Sequence, residues 1–252
     1  MIDVQSMADD RGIRLDRAGV SGLQYPIAVL DKSNEYQSTV ATLEISAPVD
    51  AKCRGTHMSR FVQILNEYHG EVTMNTLPGM LEKIMTSLGV LDARIDVAFP
   101  YFIERRAPVS SAVGLMGYKC RFCINQAGFR MGVCVPVTSV CPCSKAISDY
   151  GAHNQRGVIS VDLQPLEMIW LEDLIELAEM CGSTPVYPIL KRPDERHVTM
   201  QAYDNPVFVE DMVRNAALAL AGDQRVAWFK VRAVNQESIH DHEAFAELEW
   251  SR

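Results

Sequence analysis

From Ala41 the apolar residues fall on alternate positions, Ala41, Leu43, Ile45 and Ala47, with Thr42, Glu44 and Ser46 between them. A period of two predicts a strand with one buried face. The period then lengthens. Met58, Phe61, Val62 and Leu65 share one face of a helix, as do Leu81, Ile84, Met85 and Leu88, and the second helix ends at Gly89, the residue type that most readily closes a helix. Strand periods return at Ile95, Val97 and Phe99 and at Tyr118, Cys120, Phe122 and Ile124. The second half repeats the order. Strands at Met131, Val133, Val135 and Val137 and at Ile159, Val161 and Leu163 precede a helix read from Pro165 to Gly182. Another helix, opened by Asn205-Pro206, buries Val209, Val213, Ala216 and Leu220 and stops at Gly222. The last strands read Ala227, Phe229, Val231, Ala233 and Ala244, Ala246, Leu248, Trp250.

Antiparallel strands flanking paired helices, written twice, predict an α+β chain of two similar modules, 38–127 and 128–252, sharing a sheet. Residues 1–37 read as an irregular extension, on turn-rich text such as Gly19-Val20-Ser21-Gly22 and Asp31-Lys32-Ser33-Asn34, that wraps the surface or reaches a neighbouring subunit. No Gly-rich phosphate loop of the Rossmann or Walker kind occurs, which excludes those nucleotide-binding classes.

Composition narrows the function further. A net charge of −8 argues against a phosphate-backbone binder, although a small anion is admissible where basic residues cluster. Seven cysteines, an odd count without regular spacing in a chain of 252 residues, are expected to be reduced thiols. The first ten residues carry no basic stretch followed by an apolar run, and no eighteen apolar residues stand together, so a cytoplasmic protein without a membrane partner is expected.

The segment Cys141 to Arg156 concentrates two thiols, an imidazole, a lysine and an arginine. Thiolate and neutral imidazole suit a borderline-soft ion such as zinc, and a third ligand from elsewhere would leave one position open. The spacing of Cys141 and Cys143 makes joint ligation of one ion awkward, so one binds and the other acts beside it. Cys120 and Cys123 fall on opposite faces of a strand and read as structural, and packing is also the reading for Cys53, Cys134 and Cys181. Glu195, in Lys191-Arg192-Pro193-Asp194-Glu195-Arg196-His197, reads as a solvated residue of a charged loop. Glu210 suits the first turn of its helix and can pair with Arg214. His240 and His242 flank Asp241 on the same side of an extended segment and can exchange protons with one substrate. The block Arg54 to Arg60 opens the first helix with amides, hydroxyls and basic side chains that suit phosphate.

Assembled, these motifs resemble the type B family of GTP cyclohydrolase I, the metal-dependent prokaryotic form. The resemblance runs nearly end to end: Asp3-Val4-Gln5 with Asp10-Arg11-Gly12-Ile13, Gly55 to Phe61, Cys141 to Lys145, Tyr150 to Arg156, and Ser238-Ile239-His240-Asp241-His242. The chain departs from the family text at Cys53-Arg54, where a lysine is usual, and at Gln24-Tyr25. The resemblance implies the bimodular tunnelling fold and a homotetramer with sites between subunits. It implies that Cys141, His153 and Glu195 hold one divalent ion (zinc, manganese or ferrous iron), with Cys143 beside it. Glu210 would anchor guanine, and His240 and His242 would handle protons. The implied reaction converts GTP to 7,8-dihydroneopterin triphosphate and formate, the first step toward tetrahydrofolate, through attack of a metal-bound water on carbon 8. For the triphosphate, Lys145, Arg156, His57 and Arg60 are the candidates. The rivals are the archaeal relative that makes the cyclic phosphate, and a tunnelling-fold protein that binds a purine or pterin without turnover.

Overall fold

The computed structural model describes Gln5 and residues 7–252. Asp3 and Val4, the start of the first motif, lie outside the described residues. The chain is α+β, with strands β1 Leu15–Asp31, β2 Glu35–Val49, β3 Arg94–Arg106, β4 Val113–Asn125, β5 Gly128–Val140, β6 Asn154–Pro165, β7 Thr184–Pro185, β8 Val226–Gln236 and β9 Glu243–Ser251. Helices are α1 Met58–Glu67, α2 Leu77–Leu88, α3 Pro142–Ile147, α4 Leu171–Met180, α5 Arg192–Asp204 and α6 Val209–Gly222. The strand order along the sheet is β1-β2-β3-β4-β5-β6-β8-β9, and β7 pairs with β5.

Two compact units divide the chain, residues 1–100 with 121–131, and residues 101–120 with 132–252. In the first, the predicted strand at 41–47 is part of β2, with Ala41, Leu43, Ile45 and Ala47 all buried. The expected irregular stretch before it contains β1, antiparallel to β2. Its period is broken by register shifts between Leu15 and Ala18 and between Val20 and Leu23, which leaves no clean alternation to read. Gly19 is required by close approach, since a Cβ there would stand 1.9 Å from the Ile45 carbonyl oxygen. The Asp31-Lys32-Ser33-Asn34 text is a turn as read: the Asp31 carboxylate accepts from the amides of Ser33 and Asn34 at 2.8 Å each. Helix α1 buries Phe61, Ile64 and Leu65, and α2 ends at Gly89 with φ 66°, as its sequence predicts.

In the second unit, α6 buries Val209, Val213, Ala216 and Leu220 as expected, but both of the later helices start further along than predicted. Pro165 closes β6, and α4 opens six residues later behind Trp170. Gly182 lies beyond the end of α4, where it makes room for Val137, whose Cβ would be 2.6 Å from an added methyl group. Asn205 closes α5, its side-chain amide donating to the Gly182 and Ser183 carbonyls at 3.1 and 3.2 Å. Helix α6 begins behind Phe208, whose amide donates to the Asp211 carboxylate at 3.1 Å. Strand β8 is buried at Phe229, Val231 and Ala233, while β9 is exposed or half-buried throughout.

Candidate active site

Strand β5 ends at Val140, and Pro142, preset for a first helical turn, starts α3 directly after it. Cys141 is therefore the cap between them. Its amide donates to the His153 carbonyl at 3.1 Å, and its Sγ accepts from the Ser144 amide at 3.4 Å. The His153 amide in turn donates to Ser144 Oγ at 3.2 Å. The backbones of Cys141 and His153 are thus held together where β5 ends and β6 begins. The His153 side chain keeps only 12% of its surface exposed. Its Nδ1 lies 2.8 Å from Gln155 Oε1 and 3.8 Å from Glu237 Oε2, the second beyond hydrogen-bond reach. Cys143 is exposed on α3.

Glu195 corrects the loop expectation: it stands in the first turn of α5, exposed, with its amide donating to the Lys191 carbonyl at 2.9 Å. That turn is held by its neighbour. Asp194 is fully buried and accepts from the amides of Val109, Ser110 and Lys191 at 2.8 Å each and from Ser110 Oγ at 2.6 Å. Burial alone would raise the Asp194 carboxyl, but these hydrogen bonds overcome it and hold the group well below the usual carboxylate range. Glu210 is exposed in the first turn of α6, and the partner of Arg214 is Asp211, at 3.4 Å, not Glu210. His240 and His242 are exposed on the bend joining β8 to β9, in place of the extended segment expected. Their rings nevertheless stack with centroids 5.0 Å apart and an interplanar angle of 17°.

Of the phosphate candidates, Arg156 is exposed, while the Lys145 ammonium donates to the Tyr203 carbonyl and sits 4.3 Å over that tyrosine's ring. In the first unit His57 caps α1 through its backbone, and Arg60 donates to the Ser87 carbonyl at 2.7 Å. Gln5 reaches the same block, donating to the Thr56 carbonyl at 2.8 Å. At the departures from the family text, Gln24 donates to Thr42 Oγ1 at 3.3 Å and Tyr25 to Asn66 Oδ1 at 2.7 Å.

All seven cysteines are free thiols. Cys120 and Cys181 are buried as expected, and burial pushes the Cys181 thiol up to about 11, but Cys53 is exposed and so contributes no packing. Among the described residues no three of His, Cys, Asp and Glu converge closely enough to hold an ion. Two residues of the right chemistry, Cys141 and His153, do share a backbone hydrogen bond, and Nδ1 of the second lies within hydrogen-bond reach of Gln155 Oε1.

Sequence reasoning missed the groups behind His153. Gln155, Ser139 and Asn235 are all buried, at 7%, 0% and 2% exposure, and hydrogen-bond in series. It also missed a buried cluster in the same unit, where Glu179 receives Tyr118 OH at 2.6 Å and pairs with Arg105 at 2.7 Å. Burial raises the Glu179 carboxyl despite both partners, which pull it down. Among the described residues no helix is long and apolar enough to cross a membrane.

A family model described as type I GTP cyclohydrolase folE2 matches residues 1–246. GTP cyclohydrolase FolE2 of Citrifermentans bemidjiense is 49% identical over 253 residues, covering 99% of this chain and 95% of that protein. The protein of the same name from Geobacter sulfurreducens is 48% identical over 252 residues, covering 99% and 98%. Among solved structures, a uricase from Bacillus fastidious superposes with a TM-score of 0.56 at 8% identity, covering 94% of each chain. The uricase from Arthrobacter globiformis gives 0.52 at 9%, covering 94% of this chain and 93% of that one. At such identities the likeness concerns architecture alone, and the architecture is the tunnelling fold that the family resemblance implies.

Proposed function

Since this chain belongs to the type I GTP cyclohydrolase family, we propose that it converts GTP to 7,8-dihydroneopterin triphosphate and formate by a metal-dependent hydrolysis and rearrangement. The observation that carries the metal dependence is the joining of Cys141 and His153 on one turn, with the imidazole's Nδ1 occupied from behind. We assign Cys141, His153 and Glu195 to one divalent ion. A bound ion of this kind supplies Lewis acidity and lowers the pKa of water it carries.

The protein's own groups do the rest. Glu210, exposed and free of the Arg214 pairing, accepts two hydrogen bonds from the N–H and amino group of guanine. An adenine edge lacks that donor pair, so GTP is chosen over ATP. His240 and His242 pass protons as the imidazole ring opens, formate leaves and the ribose rearranges. Cys143, on the turn after Cys141, serves the same centre. Arg156 and Lys145 hold triphosphate oxygens, the lysine turning from Tyr203 to do so, and His57 and Arg60 join them on the strength of charge and motif. Four copies form the working assembly, with the sites between subunits, in the cytoplasm.

The test is incubation of metal-stripped protein with GTP and, separately, manganese, ferrous iron or zinc, following formate and the fluorescence of the oxidised pterin. Wild type is expected to yield both, and Cys141→Ala neither. Tight GTP binding without formate under every metal would leave a purine-binding relative instead. Phosphate analysis of the product separates the triphosphate from the cyclic phosphate of the archaeal relatives.

A further inference from the structure

The groups behind His153 have a direction. The Val207 carbonyl can only accept, and it receives the Ser139 hydroxyl at 3.2 Å. With its hydrogen committed there, Ser139 Oγ can only accept from its other neighbours. It receives Asn235 Nδ2 at 3.0 Å and Gln155 Nε2 at 3.3 Å. That turns the amide of Gln155 so that its oxygen faces His153 Nδ1 at 2.8 Å. An amide oxygen cannot donate, so Nδ1 must carry the hydrogen, and in the neutral ring Nε2 then carries the lone pair. Glu237 Oε2, 3.8 Å from the same Nδ1, favours a hydrogen there as well.

We propose that Gln155 is a positioning residue that fixes the tautomer and ring orientation of His153, wired through Ser139 to the Val207 carbonyl, so that Nε2 is presented as a metal ligand. The proposal rests on the reading of His153 as a ligand. The structure retains this wire at a cost. Asn235 Oδ1 is buried without a hydrogen-bond partner, an unfavourable state for a polar atom, and the amide nitrogen of the same side chain is what saturates Ser139. Gly157, paired with Asn235 across β6 and β8, leaves the room: a Cβ at Gly157 would fall 2.5 Å from Asn235 Oδ1.

The first measurement needs no variant and no metal. Long-range proton–nitrogen NMR of the metal-free full-length protein, above the pH at which imidazole protonates, reads which ring nitrogen of His153 bears the hydrogen. The Nδ1–H form is expected, and the Nε2–H form would overturn the proposal. The second is zinc affinity by competition with a chromophoric chelator. Gln155→Met keeps the length and removes the acceptor, and should weaken zinc binding by about 10–100-fold. Gln155→Glu restores an acceptor toward Nδ1 but removes the N–H that Ser139 Oγ accepts, so it should bind more tightly than Gln155→Met and more weakly than wild type. Equal binding by wild type and Gln155→Met, or equal weakening by both variants, would refute the wire. His153→Ala separates the two levels. If it binds zinc as wild type does, His153 is no ligand and the underlying assignment fails; if it alone is weakened, only the role of Gln155 fails.

Discussion

The molecule keeps its histidines in two contrasting conditions. His153 is nearly buried, tied through its amide to Ser144 and through its ring to Gln155. His240 and His242 sit in the open on the bend between β8 and β9, their rings stacked, with Asp241 3.4 Å from His242. The difference matches the two tasks assigned to them. A metal ligand must hold one nitrogen, in one tautomer, at one place, and rigid support supplies that. A proton carrier must present both of its protonation states in turn, and solvent contact keeps both accessible.

The hardest blow to this contrast is His153→Ala, which should remove bound metal and formate release together, read by metal analysis and a formate assay. His240→Ala and His242→Ala should instead lower turnover by about 10²–10⁴-fold while metal content stays at the wild-type level. Loss of metal from either of them would place the bend in the ion's cage and erase the distinction. Gly157→Ala strikes the rigid side alone. By pushing the Asn235 side chain off Ser139 it should cost about 1–3 kcal/mol in urea unfolding and loosen metal, with the bend histidines untouched.

The mildest test concerns a buried group outside both regions. Glu179 has its carboxyl raised by burial, so its contribution to stability is full below the unfolded glutamate value of about 4.3 and fades as pH rises through the folded value. The stability gap between wild type and Glu179→Gln should therefore narrow from pH 4 upward in denaturant titrations. A gap that widens over that range would show that Arg105 and Tyr118 outweigh burial.

Where the chain alternates cleanly, as at Leu43 and Ile45 or Val231 and Ala233, the sequence was enough, because a single buried face imposes a period of two. Strand β1 escaped because its bulges reset that period twice, and its glycines suggested turns. Helix α5 escaped for another reason: it buries only Asp194 and Ala202, so it has no apolar stripe, and Lys191 to Arg196 looks like a charged loop. The proposed metal donors Cys141 and His153 were legible as a cluster of rare side chains. Gln155 was not, since glutamine carries no chemical signature of its own; only its position two residues from His153, on the same side of an extended chain, pointed to it. That Glu195 stands in the first turn of a helix could not be read from the charged text around it.

Asp194 has one more consequence. The amides of Val109 and Ser110 belong to a surface turn, where solvent would ordinarily replace their hydrogens within moments, yet both end on a carboxylate with no exposed surface. Deuterium can reach them only when the start of α5 lifts away. These two loop amides should therefore exchange as slowly as those of the sheet, and their clock reports directly on how often the ground beneath Glu195 gives way.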